Sequence, residues 1–375
     1  MEKRQFQKTG EEISLLGFGC MRLPRTNADT QEIDFEKAAE MIDYAYKNGV
    51  NYFDTAYPYH EGLSEPFLGQ VLPNYPRESY KLATKMPVWL LQTAADIERI
   101  FEEQLARCRA DYFDFYLVHG LNRDRIEITK NLEVIAYLEK ERERGRIRRL
   151  GFSFHDEPRL LERVLDMHEW DFAQIQLNYM DWELQDARGQ YELLTSRGIP
   201  VVVMEPVRGG ALANLSLEAR DILIDAEPQS SLASWAMRFV GELPNVLTVL
   251  SGMSTFEHVK DNVKTYSPLV PLWKEKQDVL ARALTAYRKS GAVPCTGCAY
   301  CMDCPFGVDI PKVFAVYNQH KIANYRIAFE IGYRVLGEAH NAHRCTSCGR
   351  CLPLCPQYID IPARMREVAA EIDNK

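Results

Sequence analysis

Eight short β-rich segments recur between residues 14 and 253, and a stretch with helical periodicity follows each of them. In FEKAAEMIDYAYKNG and AADIERIFEEQLARC, for example, apolar residues recur at spacings of three and four. Eight strand–helix units predict an α/β fold of the (β/α)8 TIM barrel type. The alternative is an open, doubly wound sheet, but GFGCMRLP at the first strand lacks the GxGxxG turn of that fold. The predicted strands span residues 14–21, 52–56, 80–86, 113–120, 148–154, 172–179, 200–207 and 246–253.

Cysteines are concentrated at the other end of the chain, where eight of the ten lie in the last 81 residues. They form two runs, CTGCAYCMDCP from residue 295 and CTSCGRCLPLCP from residue 345. The second run has the spacing C-x2-C-x2-C-x3-C-P of bacterial ferredoxins, and the first is one residue shorter before its last cysteine. We therefore predict two [4Fe–4S] clusters.

The ligand sets follow from the resemblance of these runs to two-cluster ferredoxins, in which the fourth cysteine of each run binds the other cluster. Carried over, one cluster is bound by Cys295, Cys298, Cys301 and Cys355. The other is bound by Cys304, Cys345, Cys348 and Cys351. The intervening segment, with VFAVYNQHKIANYRIAFEIGYRVLG, has a helical pattern, so the domain resembles a helical ferredoxin. Zinc, which usually takes two CxxC pairs, and disulfides are the alternatives.

Three segments result from these patterns. We predict a barrel over residues 1–272, a helical connector over 273–294 and a small two-cluster ferredoxin-like domain over 295–375. The opening RQFQKTGEEISLLGFG also predicts a hairpin that turns at Thr9-Gly10 and closes the barrel floor.

The charge balance bears on the class of partner. With 45 basic and 53 acidic residues the formal net charge is −8, which argues against nucleic acid as the main partner.

No apolar run approaches the roughly 20 residues that span a bilayer. The start MEKRQFQKTG has no apolar core or cleavage site of a secretory signal. We expect a cytoplasmic protein without a membrane partner, in which thiols stay reduced.

Four polar residues follow neighbouring strands of the predicted barrel, where barrel enzymes place their reacting groups. Asp54 and Tyr59 follow the second strand, Lys85 lies at the end of the third, and His119 at the end of the fourth. A tyrosine with a pKa of about 10 is a weak acid near neutrality. We expect the Lys85 cation to lower the Tyr59 pKa, Asp54 to orient Lys85, and His119 to polarise a carbonyl oxygen.

The segments FDTAYPY, ATK and YLVHG around these residues resemble the signature of the aldo-keto reductase family. The resemblance extends from about residue 5 to residue 265. It implies that Asp54, Tyr59, Lys85 and His119 form the catalytic set. It also implies an NAD(P)H cofactor bound without a Rossmann fold, and small carbonyl or alcohol substrates.

Residues at the family's cofactor positions are only partly retained. Ser153 and Gln174 match the two positions that bind the nicotinamide amide, while the usual asparagine after the serine is Phe154. Met204 stands where an aromatic normally stacks on the nicotinamide, and its sulfur can also pack on a ring. In SGMSTFEHVKDN the usual lysine and arginine of the adenosine phosphate loop are replaced. The predicted cofactor residues there and in PVRGGAL are Gly252, Ser254, His258, Asn262 and Arg208.

The function predicted from these features is that of an NAD(P)H-linked oxidoreductase with two iron–sulfur clusters. Hydride transfer moves two electrons together and a cubane passes one, so the clusters need a further role. Three interpretations remain: the clusters relay electrons to or from a redox protein partner or a bound intermediate, they are structural, or the chain is a nicotinamide-sensing electron-transfer subunit with little reductase activity.

Overall fold

The structure is a computed structural model that describes residues 1–27, 30–302 and 304–374. The chain begins with an antiparallel hairpin of β1 (Lys3–Phe6) and β2 (Glu11–Ser14). The strands that follow are all parallel and close into a barrel in the order β10-β3-β4-β5-β6-β7-β8-β9. The predicted fold is confirmed. The barrel strands are β3 (Leu16–Gly19), β4 (Tyr52–Asp54), β5 (Lys81–Met86), β6 (Phe115–Leu121), β7 (Leu150–Phe154), β8 (Phe172–Gln176), β9 (Val201–Met204) and β10 (Val246–Ser251).

The hairpin supplies two residues to the interior of the barrel. Phe6 and Ile13 are buried in one cluster with Tyr52, Phe115 and Phe172, which come from three barrel strands. The ring of Phe6 meets that of Phe115 edge-on at 6.0 Å. The predicted hairpin is confirmed, and it closes the barrel with apolar side chains.

Helices connect the strands. Those of the described residues are α1 (Phe35–Lys47), α2 (Ser64–Val71), α3 (Ala94–Cys108), α4 (Arg123–Asn131), α5 (Val134–Glu143), α6 (Pro158–Leu165), α7 (Asp181–Leu184), α8 (Ala187–Ser196), α9 (Leu217–Ala226), α10 (Leu232–Gly241), α11 (Phe256–Thr265), α12 (Lys274–Lys289), α13 (Ile310–Ala323), α14 (Arg326–Leu336) and α15 (Ile361–Asp373). Helix α3 shows why they form: Thr93 and Asp96 make a reciprocal capping box, and Ile97, Phe101 and Leu105 recur on one buried face. None of these helices combines the length and the apolar character needed to span a membrane.

The chain divides into two compact units. The barrel unit comprises Met1–Pro206 and Ala236–Pro271, and the second unit comprises Val207–Trp235 and the chain from Leu272 onward. This division differs from the predicted segments at residues 207–235, which fold with the C-terminal part. The reason is local packing within the second unit, where α9 lies against α12. An ion pair between Lys276 Nζ and Glu227 Oε2 at 2.9 Å accompanies that packing.

Candidate active site and cysteine cavities

A buried ion pair lies at the carboxyl ends of β4 and β5. Lys85 is fully buried, and its Nζ donates hydrogen bonds to Asp54 Oδ1 at 2.6 Å and to the Thr55 carbonyl oxygen at 2.7 Å. Burial raises the pKa of Asp54, and the Lys85 ammonium opposes that shift. The lysine is thus held in one position, as predicted for the residue that Asp54 orients.

Tyr59 lies directly above this pair. It begins a one-turn helix after β4, and Lys85 Nζ is 4.9 Å from the centroid of its ring. The next residue, His60, has a φ of 52°, in the left-handed region that non-glycine residues rarely adopt. The buried His60 ring holds this turn, because its Nε2 accepts a hydrogen bond from the Leu23 backbone at 3.1 Å. Sequence reasoning missed this positioning role of His60.

The electrostatic environment of Tyr59 differs from the prediction. Burial raises its pKa well above the ordinary value, and the carboxylates of Asp54 and Glu205 add to the shift. The net shift is thus opposite to the predicted lowering of the pKa; among the main contributions the opposing cation is Arg22, while the Lys85 ammonium faces the ring. A phenol with a raised pKa stays protonated at neutral pH, and it gives up its proton only to a stronger base such as an alkoxide.

His119, on β6, completes the group of four. Its ring lies edge-on to that of Tyr59 with the centroids 6.1 Å apart, and it also contacts Trp89 at 4.8 Å. Burial lowers the His119 pKa well below the usual value, and the cations of Lys85 and Arg125 contribute. The imidazole is therefore neutral, with one nitrogen as donor. Among the described residues, its buried Nδ1 has no hydrogen-bond partner.

Ser153, Gln174 and Met204 lie on the adjacent strands β7, β8 and β9. Ser153 pairs in register with Gln174, and its Oγ accepts a hydrogen bond from the Gly120 backbone at 2.7 Å. Gln174 Nε2 lies 3.5 Å from the Met204 sulfur. In the part of the chain that is described, the buried Gln174 Oε1 has no partner. An orphaned amide oxygen is costly unless a ligand pairs with it, so it fits the NH2 group of a carboxamide. Phe154, in place of asparagine, is buried in the core.

An arginine lies beside the loop that follows β10. A Cβ atom on Gly252 would lie 3.1 Å from Arg22 Cδ, so the arginine fills the space beside this glycine. Ser254 Oγ donates to the Arg22 carbonyl oxygen at 2.7 Å, and Arg22 Nη2 is 3.2 Å from Glu205 Oε1. Sequence reasoning missed Arg22, although its place in MRLP, just after the first strand, was a usable signal.

The two other predicted residues of this loop lie at or within α11. The His258 backbone amide donates to the capping Thr255 Oγ1 at 3.3 Å, and the buried Asn262 donates to Ser251 Oγ at 2.9 Å. The first bond caps the start of α11 and the second joins the helix to the end of β10. Backbone N–H groups at the start of a helix can donate hydrogen bonds to an anion. The predicted phosphate loop therefore has helix dipole and backbone donors in place of the missing lysine and arginine.

Arg208 differs from its predicted role as a phosphate contact. It is fully buried in the second unit, where Nη1 donates to the Pro294 carbonyl oxygen at 2.6 Å and Nη2 to Gln357 Oε1 at 2.9 Å. The neighbouring Gly209 approaches so closely that a Cβ atom would meet the Thr296 carbonyl oxygen at 2.1 Å. The guanidinium thus fixes the segment after β9 to the backbone before Cys295 and to the side chain of Gln357, which lines the first cysteine cavity.

The eight clustered cysteines line two cavities in the predicted crossed grouping. The first cavity, of about 300 Å³ including space open to solvent, is lined by Cys295, Cys298, Cys301 and Cys355. The second, of about 460 Å³ on the same measure, is lined by Cys301 together with Cys304, Cys345, Cys348 and Cys351. Cys301 borders both cavities, so they adjoin. The two isolated cysteines, Cys20 and Cys108, are buried in the barrel unit, as expected for packed hydrophobes.

The thiols within a cavity interact electrostatically. Burial raises the pKa of Cys301 to about 12 and that of Cys295 to about 11, and Cys298 and Cys355 contribute to both shifts. A cationic iron cluster would relieve this repulsion by binding the thiolates. Among the described residues, no three His, Cys, Asp or Glu side chains are grouped for a single metal ion. A [4Fe–4S] cluster takes four thiolates, and each cavity is lined by at least four cysteines, so the residues present fit such a cluster.

The barrel, its buried Lys85–Asp54 pair and the adjacent tyrosine and histidine define an oxidoreductase of the aldo/keto reductase class. Residues 15–276 match the aldo/keto reductase family, and residues 294–359 match the 4Fe-4S dicluster domain. The chain therefore belongs to the aldo/keto reductase family and carries a C-terminal iron–sulfur domain. Both predicted resemblances are confirmed.

Individual relatives match the barrel part of the chain. NADH-specific methylglyoxal reductase of Escherichia coli is 27% identical over 306 residues, which cover 70% of this chain and 93% of the relative. L-galactose dehydrogenase of Arabidopsis thaliana is 26% identical over 298 residues, or 74% and 92% of the two chains. Among solved structures, the holo form of aldo-keto reductase AKR11C1 from Bacillus halodurans has a TM-score of 0.63 at 27% identity, covering 76% of this chain and 96% of that one.

Proposed function

We propose that the barrel unit catalyses the NAD(P)H-linked reduction of small carbonyl compounds and the reverse oxidation of alcohols. The observation that carries this proposal is the fully buried Lys85, 2.6 Å from Asp54 and beneath the ring of Tyr59, with neutral His119 alongside. The names of the relatives agree, since one is a methylglyoxal reductase and another a sugar dehydrogenase.

In the proposed reaction the chain supplies the proton and orients the carbonyl group. The neutral His119 donates a hydrogen bond to the carbonyl oxygen and polarises the bond to its carbon. When bound, the reduced nicotinamide supplies the hydride that the carbon accepts. The Tyr59 hydroxyl transfers its proton to the oxygen, which becomes the alcohol, and the Lys85 ammonium stabilises the phenolate that remains. Solvent then restores the Tyr59 proton.

The residues proposed to bind the nicotinamide are Ser153, Gln174 and Met204. Gln174 Oε1 would accept a hydrogen bond from the NH2 group of the nicotinamide carboxamide, which would give this oxygen a partner. The loop after β10 and the start of α11 would bind the phosphates. Gly252, Ser254, His258 and Asn262 shape that loop. We add Arg22 as the cation beside it.

We propose further that the second unit binds two [4Fe–4S] clusters, one in each cysteine cavity, and that they relay electrons. When bound, each cluster passes a single electron. Support comes from the shared border at Cys301, which keeps the two cavities adjacent, and from the exposure of Cys348 at the second. Anaerobically purified protein should show the broad absorption of iron–sulfur clusters and bleach on dithionite addition. Zinc in place of iron would overturn this part.

Substitution of Tyr59 tests the reductase proposal. Tyr59→Phe removes the proton donor, so we expect kcat on a panel of small aldehydes and ketones to fall by about 100-fold or more. Binding of the nicotinamide nucleotide, measured by fluorescence titration, should be unchanged.

The matched control is Tyr57→Phe. Tyr57 lies two residues earlier, and its hydroxyl donates to Glu103 at 2.7 Å rather than to the catalytic group. It should retain kcat within about twofold, since surface changes of this kind are small. Equal turnover in the two variants would remove Tyr59 from the mechanism.

A further inference from the structure

The second cysteine cavity opens on a partly apolar surface. Its lining includes the exposed side chains of Met302, Phe306 and Leu354, of which Leu354 is 48% exposed. Cys348, in the same lining, is itself exposed. A proposed cluster in this cavity would thus lie beside solvent, whereas Cys355, which lines only the first cavity, is buried.

Three arginines lie at the second cysteine run, whose first three cysteines line this cavity. Arg350 lines the cavity itself, Arg344 directly precedes Cys345, and Arg366 lies on α15. Arg366 Nη1 donates to Ser347 Oγ at 2.8 Å. Among the described residues, none of the three arginines has an acidic partner. We call these arginines with Met302, Phe306 and Leu354 the docking face.

The three acidic residues of α15 do not neutralise this charge, because other groups pair with them. Glu371 pairs with His320 and Lys321. Glu367 binds Arg364 and accepts a hydrogen bond from Tyr317. Asp373 pairs with His343 at 3.2 Å. The docking face is therefore a cationic area on a chain whose formal net charge is −8.

We propose that the docking face binds a small acidic protein that carries one electron at a time. The inference rests on the proposed clusters and adds the class of partner. An apolar centre with a charged rim is the usual anatomy of a protein interface. Complementary charge accelerates the encounter, while redox complexes bury a small area and dissociate readily. An anionic membrane fits less well, since lipid-binding clusters usually hold four to eight cations.

Binding of an acidic [2Fe–2S] ferredoxin of plant type to the full, cluster-loaded chain tests the proposal. Calorimetric titration of the oxidised ferredoxin at low ionic strength should give a measurable Kd that weakens about tenfold or more near 200 mM salt. Basic cytochrome c, as a carrier of opposite charge, should bind at least tenfold more weakly. Tighter binding of cytochrome c, of anionic vesicles, or of a second copy of the chain would overturn it.

The matched variants are Arg366→Glu and Arg364→Glu, two residues apart on α15. Arg364 is also exposed but is paired with Glu367 and lies outside the docking face. We expect Arg366→Glu to weaken ferredoxin binding about three- to tenfold and Arg364→Glu to change it less than twofold. Equal effects would overturn the proposal. Dithionite bleaching of each protein distinguishes failure of the proposed function from failure of the docking proposal. Absent clusters would contradict the proposed function. Intact clusters without ferredoxin binding would contradict only the docking face.

Discussion

Lys85 is a fully buried charged side chain, and this is tolerable because two acceptors replace its hydration. Asp54 Oδ1 and the Thr55 carbonyl oxygen lie within 2.7 Å of its ammonium. Burying a lone charge is expensive, so each member of such a pair depends on the other. The pair therefore contributes both to the stability of the barrel mouth and to the chemistry proposed for Tyr59.

Removal of one partner should expose this dependence. We expect Lys85→Met to lower the free energy of unfolding by about 3–5 kcal/mol, because Asp54 is then buried without a cation. The double variant Lys85→Met/Asp54→Asn should recover part of the loss, since no uncompensated charge remains. Urea unfolding at pH 7 measures both. A double variant no more stable than the single one would contradict the coupling.

A histidine after β7 should make the barrel sensitive to acid. Burial lowers the pKa of His155 to about 4, while an unfolded histidine titrates near 6.5. Above pH 6.5 both states are neutral and the residue contributes no pH dependence. As the pH falls from about 6.5 to 4 the unfolded chain binds the proton first, so the free energy of unfolding decreases. We expect His155→Gln to lose less stability over this window than the wild type in urea titrations. Parallel pH curves would contradict the expectation.

The segment after β9 belongs to the second unit, whereas β9 itself belongs to the barrel unit. Arg208 and Gly209 contact residues 294, 296 and 357, which are remote in sequence. The strand itself follows from its continuous run of β-branched valines, as the sequence predicts. The packing of the next turn depends on partners that no local pattern indicates.

Two neighbouring glycines in this segment allow packing to be separated from backbone strain. Both have positive φ, 63° at Gly209 and 92° at Gly210, so alanine costs about 1 kcal/mol at either position. Only at Gly209 would the new Cβ collide with Thr296, while nothing lies within 4 Å at Gly210. We expect Gly209→Ala to destabilise the second unit by at least about 2 kcal/mol more than Gly210→Ala. Thermal unfolding of the cluster-loaded protein checks this, and equal losses would contradict the contact.

At the scale of the molecule, the two cysteine runs are exchanged between cavities. Cys355 lies 60 residues beyond Cys295 yet lines the same cavity, while Cys304 lines the cavity of the second run. Closing loops of this length costs entropy that bound clusters would repay. Metal binding and folding of the second unit are therefore expected to be coupled.

The exchange of cysteines between the two cavities can be tested by substituting single cysteines and measuring which cluster is lost. We expect Cys355→Ser and Cys295→Ser to lose the same paramagnetic signal of the reduced protein and about half of the iron, since each removes a ligand of one cluster. Cys345→Ser should lose the other signal. Iron analysis and electron paramagnetic resonance measure these losses. Cys108→Ala, at a buried and isolated cysteine of the barrel unit, should retain both signals. Loss of the Cys345 signal in Cys355→Ser would contradict the exchange.

The resemblance of the two cysteine runs to two-cluster ferredoxins implied the grouping of the thiols. The sequence by itself determined the barrel, the helical C-terminal part and the positions of the four residues at the strand ends. These depend on periodicity and on short spacings, which act within a few residues and survive without knowledge of distant contacts. The tertiary structure alone decided the raised pKa of Tyr59, the placement of Arg22 beside Gly252 and the buried bonds of Arg208. Burial, charge and hydrogen bonding at those sites come from residues brought together across long stretches of chain. Their effect depends on three-dimensional distance and solvent exclusion, and neither is encoded in local sequence patterns.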